Sequence, residues 1–205
     1  MILPGYKIIP RIISNTRNSK IQTQPCGVDL TLKRIRAWKT AGTIDFDNSL
    51  REMAQTKTVP FTLNHHLKNS KPKNSSRTQD AHAHEPATEE SNATTLKIDG
   101  EESPLAQAAR LSPGAYLIDF NETITTPRDA MGQLFVRSSL FRSGCLLSAG
   151  VMDSGYRGAI GGLLQVLNPH GVVLYRDARL AQMVFLGMAE EVEGYRGGFQ
   201  GVREV

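Results

Sequence analysis

Only two cysteines, Cys26 and Cys145, occur among the 205 residues. That is too few for a disulfide framework, and a reducing compartment, cytoplasmic or nuclear, is expected. Aromatic residues make up 6% of the chain and tryptophan occurs once, which is lean for a compact core. No apolar run approaches the roughly 18 residues that a membrane-spanning helix needs. The opening Met1-Ile2-Leu3-Pro4-Gly5 lacks the basic stretch and apolar centre of a secretory signal. Charge of neither sign dominates: 24 Lys+Arg stand against 20 Asp+Glu, a formal net charge of +4. Such mild basicity suits a small anionic ligand and is too weak to argue for a nucleic-acid polymer. Amphipathic segments of helical period are absent beyond about ten residues, and no repeat is visible.

What is present divides in two. From about Asn64 to Thr95 the chain is rich in Asn, Ser, Thr, Lys, Glu and Pro, with almost no large apolar residue. Such a stretch cannot bury enough surface to offset its ordering entropy, so a disordered polar insert is expected, with outer limits at 50–112. Near its end, Pro104–Leu111 (PLAQAARL) reads as a short helical turn. Four of the five histidines, His65, His66, His82 and His84, fall in the insert, where nothing offers the fixed tetrahedral surroundings of a zinc site. The remainder consists of short apolar pieces bounded by Gly, Pro, Asn or Asp: Val28–Ile35, Ala115–Phe120, Gln133–Val136, Leu163–Leu167, Val172–Tyr175 and Leu180–Leu186. Their lengths and spacing predict a single all-β domain, a sandwich, jelly roll or barrel, across 1–205.

Three stretches carry chemistry. Arg137-Ser138-Ser139-Leu140 follows a strand-like run and opens a short helix, where free backbone N–H groups and the Arg137 fork suit a phosphate. Gly150-Val151-Met152-Asp153-Ser154-Gly155-Tyr156-Arg157-Gly158 sets one carboxylate and one aromatic among three glycines. A hairpin there exposes backbone to a flat ligand, and an ionised Asp153 accepts a proton from water; the same residues also make an ordinary turn. In Arg179–Phe185, Arg179 and Gln182 enter an otherwise apolar strand, and a buried Arg179 demands a carboxylate or phosphate partner. The chain closes on Tyr195-Arg196-Gly197-Gly198-Phe199-Gln200-Gly201, a glycine-rich tail whose aromatic could fold over a base.

RSSL, GVMDSGYRG, ARLAQMVF and YRGGFQG in this order, with Pro25-Cys26-Gly27-Val28-Asp29-Leu30 upstream, resemble the motifs of the trimeric dUTPase and dCTP deaminase superfamily. The resemblance covers about 1–46 and 113–201 and has no counterpart for the insert. It implies a distorted jelly-roll barrel in a homotrimer, with sites at subunit interfaces and a tail donated by a neighbour. It further implies a hydrolase that converts dUTP to dUMP and pyrophosphate. Asp153 would activate the water, Tyr156 would exclude a 2′-hydroxyl, and the backbone of Gly150, Val151 and Met152 would read uracil. Arg137, Ser138, Ser139 and Gln182 would hold phosphates, Arg196 would add charge to the outer ones, and Phe199 would stack on the base. Mg²⁺ would bridge the triphosphate, supported through water by Asp29, and Arg179 would pair with Asp153 or Asp29.

Two alternatives follow from the same likeness. A dCTP deaminase, alone or bifunctional, uses a glutamate in the strand after the hairpin; the matching position is Gln165, and an amide cannot shuttle protons. Arg142 does match the second arginine of the deaminase pattern. A non-catalytic nucleotide-binding or interaction protein would tolerate loss of Asp153, Tyr156, Arg179 and Phe199, all of which are present. The partners implied are thus dUTP and further copies of the chain, with neither nucleic-acid polymer nor membrane.

Overall fold

Each apolar run of the sequence lies largely within a strand of the computed structural model, which describes residues 1–63 and 107–203. Two short helices, α1 (Gly5–Ile8) and α2 (Ser19–Gln22), and two short strands, β1 (Ile13–Ser14) and β2 (Thr23–Gln24), precede the long β3 (Gly27–Trp38). Then come β4 (Thr56–Val59), β5 (Thr62–Leu63), β6 (Gln107–Leu111), β7 (Gly114–Thr125) and β8 (Ala130–Val136). The helix α3 (Ser138–Arg142) leads to β9 (Cys145–Ser148), β10 (Arg157–Val166), β11 (Val172–Tyr175) and β12 (Arg179–Gly187).

The main sheet runs β8-β12-β3-β7-β10-β9, every pairing antiparallel, with β1, β2 and β4 added at its sides. Its two ends, β8 and β9, meet again. Gly132 on β8 and Met152, just past β9, exchange N–H···O bonds of 2.9 Å in both directions. That bridge nearly closes the sheet into a barrel, which removes exposed edges. Ile35, Ile118, Ile160, Leu164, Met183 and Phe185 fill the interior and are wholly buried. A second sheet, β11-β6-β5, covers one side, contributing Leu111 and Leu174 to the core.

Two expectations change at the insert. Gln107–Leu111 is a strand rather than a helical turn: Ala108, Ala109 and Leu111 are buried against the core, and tertiary contact outweighs the helix propensity of an Ala-rich segment. Thr56–Val59 and Thr62–Leu63 also form strands, so regular structure reaches further into the 50–112 insert than the composition indicates. The polar stretch with His65, His66, His82 and His84 lies outside the described residues.

Candidate active site

The hairpin after β9 is shaped by its glycines. Tyr156 N–H donates to the Asp153 carbonyl at 3.1 Å, closing a four-residue turn with Gly155 third, at φ +75°. A positive φ at that position favours glycine, and a Cβ there would also stand 2.6 Å from Gly194 Cα. Ser154 Oγ bonds the Ala130 carbonyl at 2.8 Å and anchors the turn to the end of the sheet. This leaves Asp153 exposed, on the lining of a cavity of about 830 Å³.

The cavity wall combines the hairpin with one face of the sheet. Gly150, Val151, Met152, Asp153 and Tyr156 come from the hairpin; Arg36, Leu117, Leu163 and Ser148 form one cross-strand row through β3, β7, β10 and β9. Asp153 is the only carboxylate among the described lining residues. Tyr156 is nearly buried and its hydroxyl donates to the Ala159 carbonyl at 2.9 Å, so the ring is fixed. Burial pushes its phenol upward in pKa, and the neighbouring Tyr195 adds to the effect. Arg36 is held by the buried Asp119, Nη2 to Oδ1 at 2.7 Å, while Arg34 Nε takes Oδ2 at 2.5 Å.

The tail folds back over its own chain, whereas the resemblance implies a tail from a neighbour. Tyr195 N–H bonds the Ser154 carbonyl (2.8 Å), Ala159 N–H the Val202 carbonyl (2.8 Å), and Gln200 Nε2 the Gly155 carbonyl (3.0 Å). These bonds bring Phe199 to the cavity lining, with the Arg51 guanidinium 5.4 Å above its ring. Arg196 points elsewhere and pairs with Glu193.

A second group lies apart. Asp29 on β3 is buried, and its Oδ2 receives Arg137 Nε and Arg179 Nη1, each at 3.1 Å. Arg179 therefore pairs with Asp29, not Asp153. Burial raises the Asp29 carboxyl above its ordinary pKa, and the two guanidiniums pull it back only in part. Arg137 also bonds the Arg179 carbonyl at 3.1 Å. Gln182 faces Asp29 across the β3–β12 pairing, and Ser138 and Ser139 are exposed at the start of α3. None of Asp29, Arg137, Ser138, Ser139, Arg179, Gln182 and Arg196 lines the cavity of the same chain. Sequence reasoning missed Arg36, Met53, Ala54, Thr56, Leu117, Leu163 and Tyr195, which complete the wall. Tyr195 opens the tail motif but carries no role there; no motif marks the others, and Arg36, Leu117 and Leu163 become neighbours only through strand register.

The nearly closed barrel thus carries a hairpin that presents one carboxylate and one fixed aromatic to the cavity. Residues 55–188 match the model of the dCTP deaminase-like family, and the chain belongs to that family. It is 31% identical over 192 residues to a probable deoxyuridine 5′-triphosphate nucleotidohydrolase of Methanococcoides burtonii, covering 93% of this chain and 88% of that one. A protein of the same description from Aeropyrum pernix is 44% identical over 96 residues, covering 44% of this chain and 58% of that one. Among solved structures, the 2′-deoxycytidine 5′-triphosphate deaminase of Agrobacterium tumefaciens has a TM-score of 0.52 at 17% identity. The match covers 90% of this chain and 46% of that one, and it supports the fold.

Proposed function

We propose that this chain is a dUTP diphosphatase, converting dUTP and water to dUMP and pyrophosphate. The observation that carries the mechanism is Asp153, the one carboxylate among the described residues of a cavity wall that also holds the immobilised Tyr156. The Asp153 carboxylate takes a proton from water; the oxygen bonds to the α-phosphorus as the bond to the bridging oxygen breaks, and pyrophosphate leaves. General-base help of this kind is worth about 10²–10⁴-fold. Tyr156 packs on the deoxyribose and rejects a 2′-hydroxyl sterically. Met152 spends both backbone groups on Gly132, so Gly150 and Val151 read the uracil edge while Met152 supports them. A cytosine there would leave polar groups mismatched. Phe199 covers the base from the tail.

Deamination is disfavoured by the cavity itself. The β10 residues on its lining are Ala159, Gly161, Gly162 and Leu163, and Gln165 lies beyond them at the solvent. None of these can exchange protons with a base.

Phosphate binding by Arg137, Ser138, Ser139 and Gln182 requires a second copy of the chain, and we place the site between copies of a homotrimer. Asp29 orients Arg137 and Arg179 toward it, and Arg196 adds charge from the tail. Hydrolysis uses a divalent cation, for which we propose Mg²⁺. Among the described residues no three His, Cys, Asp or Glu side chains gather. Such a cation would be held mainly by triphosphate oxygens and its own waters, and would supply neutralisation of the charge on the departing pyrophosphate. Asp29, whose Oδ2 is taken by two guanidiniums, would support that cation through water.

Turnover in ¹⁸O-water tests the bond that forms: attack at the α-phosphorus labels dUMP, whereas label in pyrophosphate would refute it.

A further inference from the structure

We propose that Gln22 and Glu122 are positioning residues. Together they fix two acceptors that aim Arg179, and through Arg179 and Asp29 they aim Arg137 at the phosphates, a role that rests on the functional reading above.

Neither residue lies in a motif, yet both are buried polar side chains, 1 and 0% exposed. They stand where two strands part. Leu32–Phe120 is the last β3–β7 pair on the Asp29 side; beyond it β3 pairs with β2, and β7 with β1. Into that gap Glu122 brings a carboxylate in place of a main-chain partner. It accepts from Thr31 N–H at 2.8 Å and from the Thr31 hydroxyl at 2.6 Å, and Gln22 Nε2 donates to it at 2.7 Å.

Gln22 carries the effect to the arginines. Its Nε2 also donates to the main-chain carbonyl of Asp29 at 2.8 Å, and its Oε1 accepts from Asn18 N–H at 2.8 Å. One side chain thus ties α2, a single turn too short to hold itself, to the residue that receives both guanidiniums. Ile21, next to it, presents its carbonyl to Arg179 Nη1 at 2.8 Å, and Asp29 Oδ2 takes the same nitrogen at 3.1 Å. Both of these acceptors are therefore set by Gln22. Arg137 follows, since its Nη1 donates to the Arg179 carbonyl and its Nε to Asp29 Oδ2, each at 3.1 Å.

Burying a carboxylate is costly, and an apolar pair of similar volume would fill the same gap more cheaply. What the polar pair adds is direction. Glu122→Gln would set one amide N–H₂ against that of Gln22, and a Gln22 turned to match would point Oε1 at the Asp29 carbonyl.

The test compares wild type with Gln22→Met, Glu122→Gln and, as a control for thinner core packing, Leu111→Val in the second sheet. The ¹H–¹⁵N signal of Arg137 Nε, assigned with Arg137→Lys, is read without nucleotide. KM and kcat are read with dUTP, and inhibition by deoxyuridine reads the base pocket without phosphates. The expected result is an Arg137 signal that moves in Gln22→Met and Glu122→Gln and stays in Leu111→Val. KM for dUTP should rise about tenfold in those two variants, the worth of one charge-assisted hydrogen bond, with kcat and deoxyuridine inhibition nearly unchanged. Should Gln22→Met not fold, Glu122→Gln, equal in size to the native side chain, carries the test. An unmoved Arg137 signal, or a rise in KM that Leu111→Val reproduces, overturns the proposal. A signal that moves as expected in a protein whose wild type leaves dUTP intact would refute the functional reading alone.

Discussion

Tyr156 and Tyr195 meet edge to face, ring centroids 5.7 Å apart at 80°, and this contact fastens the tail to the hairpin that carries Asp153. The tail is thus seated on the hairpin whose Asp153 lines the cavity. Phe199, four residues on, lines the cavity. Stacking of a base on an aromatic is worth about 1–3 kcal/mol, so Phe199→Ala should lower kcat/KM for dUTP roughly 10- to 100-fold. The melting temperature should stay nearly unchanged, since Phe199 is outside the core. Steady-state kinetics beside thermal melting checks both.

Asp153→Asn keeps the size of the side chain and removes its basicity. Turnover should fall by about 10²–10⁴-fold. Affinity for a non-hydrolysable dUTP analogue, measured by calorimetry, should remain. Full activity in this variant would remove Asp153 from the chemistry.

Gly158 stands where a side chain would collide with the Tyr156 ring. A Cβ there would lie 2.6 Å from the Tyr156 hydroxyl and 2.8 Å from the Val202 carbonyl. The hydroxyl is already bonded to Ala159, so Gly158→Ala should push the ring and the tail together. Overpacking of this kind costs about 1–3 kcal/mol. The ratio of kcat/KM for dUTP over UTP should fall, because Tyr156 no longer closes the space beside C2′.

Asp29 holds two arginines at once. Breaking a buried pair costs about 3–5 kcal/mol. The side chains of Arg137 and Arg179 are 28% and 34% exposed, which moves the expected cost of Asp29→Asn to the low end. Urea unfolding measures that cost. In the surviving folded enzyme KM should rise more than kcat falls, since Arg137 loses its aim at the phosphates.

Glu122 offers a test through pH. It is wholly buried and accepts from Gln22 Nε2 at 2.7 Å, Thr31 N–H at 2.8 Å and Thr31 Oγ1 at 2.6 Å. Burial raises its carboxyl pKa, and these hydrogen bonds reverse the shift only in part. The folded chain therefore binds this proton more tightly than the unfolded chain. The resulting contribution is fullest below the unfolded pKa and is lost as pH rises through the folded one. Asp29 shifts in the same direction, so the comparison must isolate Glu122. Glu122→Gln should be less stable at acid pH, where its amide faces donors, and should show a flatter decline above it. Urea midpoints from pH 4 upward check this.

Much of the barrel was legible because buried strands need apolar runs and turns need Gly, Asn and Asp. Asp153, Tyr156 and Phe199 were legible because glycine spacing and acid placement mark a hairpin and a tail. Arg36 and Leu117 were not, since they become neighbours only through the register of β3 on β7. Leu163, and not Gln165, lines the cavity, and its place in the row with Arg36, Leu117 and Ser148 comes from strand register. The strand at Gln107–Leu111 was hidden by alanines that favour helix until burial against β11 decides otherwise. The separation of the Asp29–Arg137 group from the cavity is equally invisible in order along the chain.

The most direct measurement supplies this 205-residue chain with dUTP, dCTP and UTP in separate reactions with Mg²⁺, and identifies every product. The expected result is dUMP and pyrophosphate from dUTP, with little turnover of UTP and no ammonia from dCTP. Ammonia from dCTP, or intact dUTP with the wild-type chain, would contradict it.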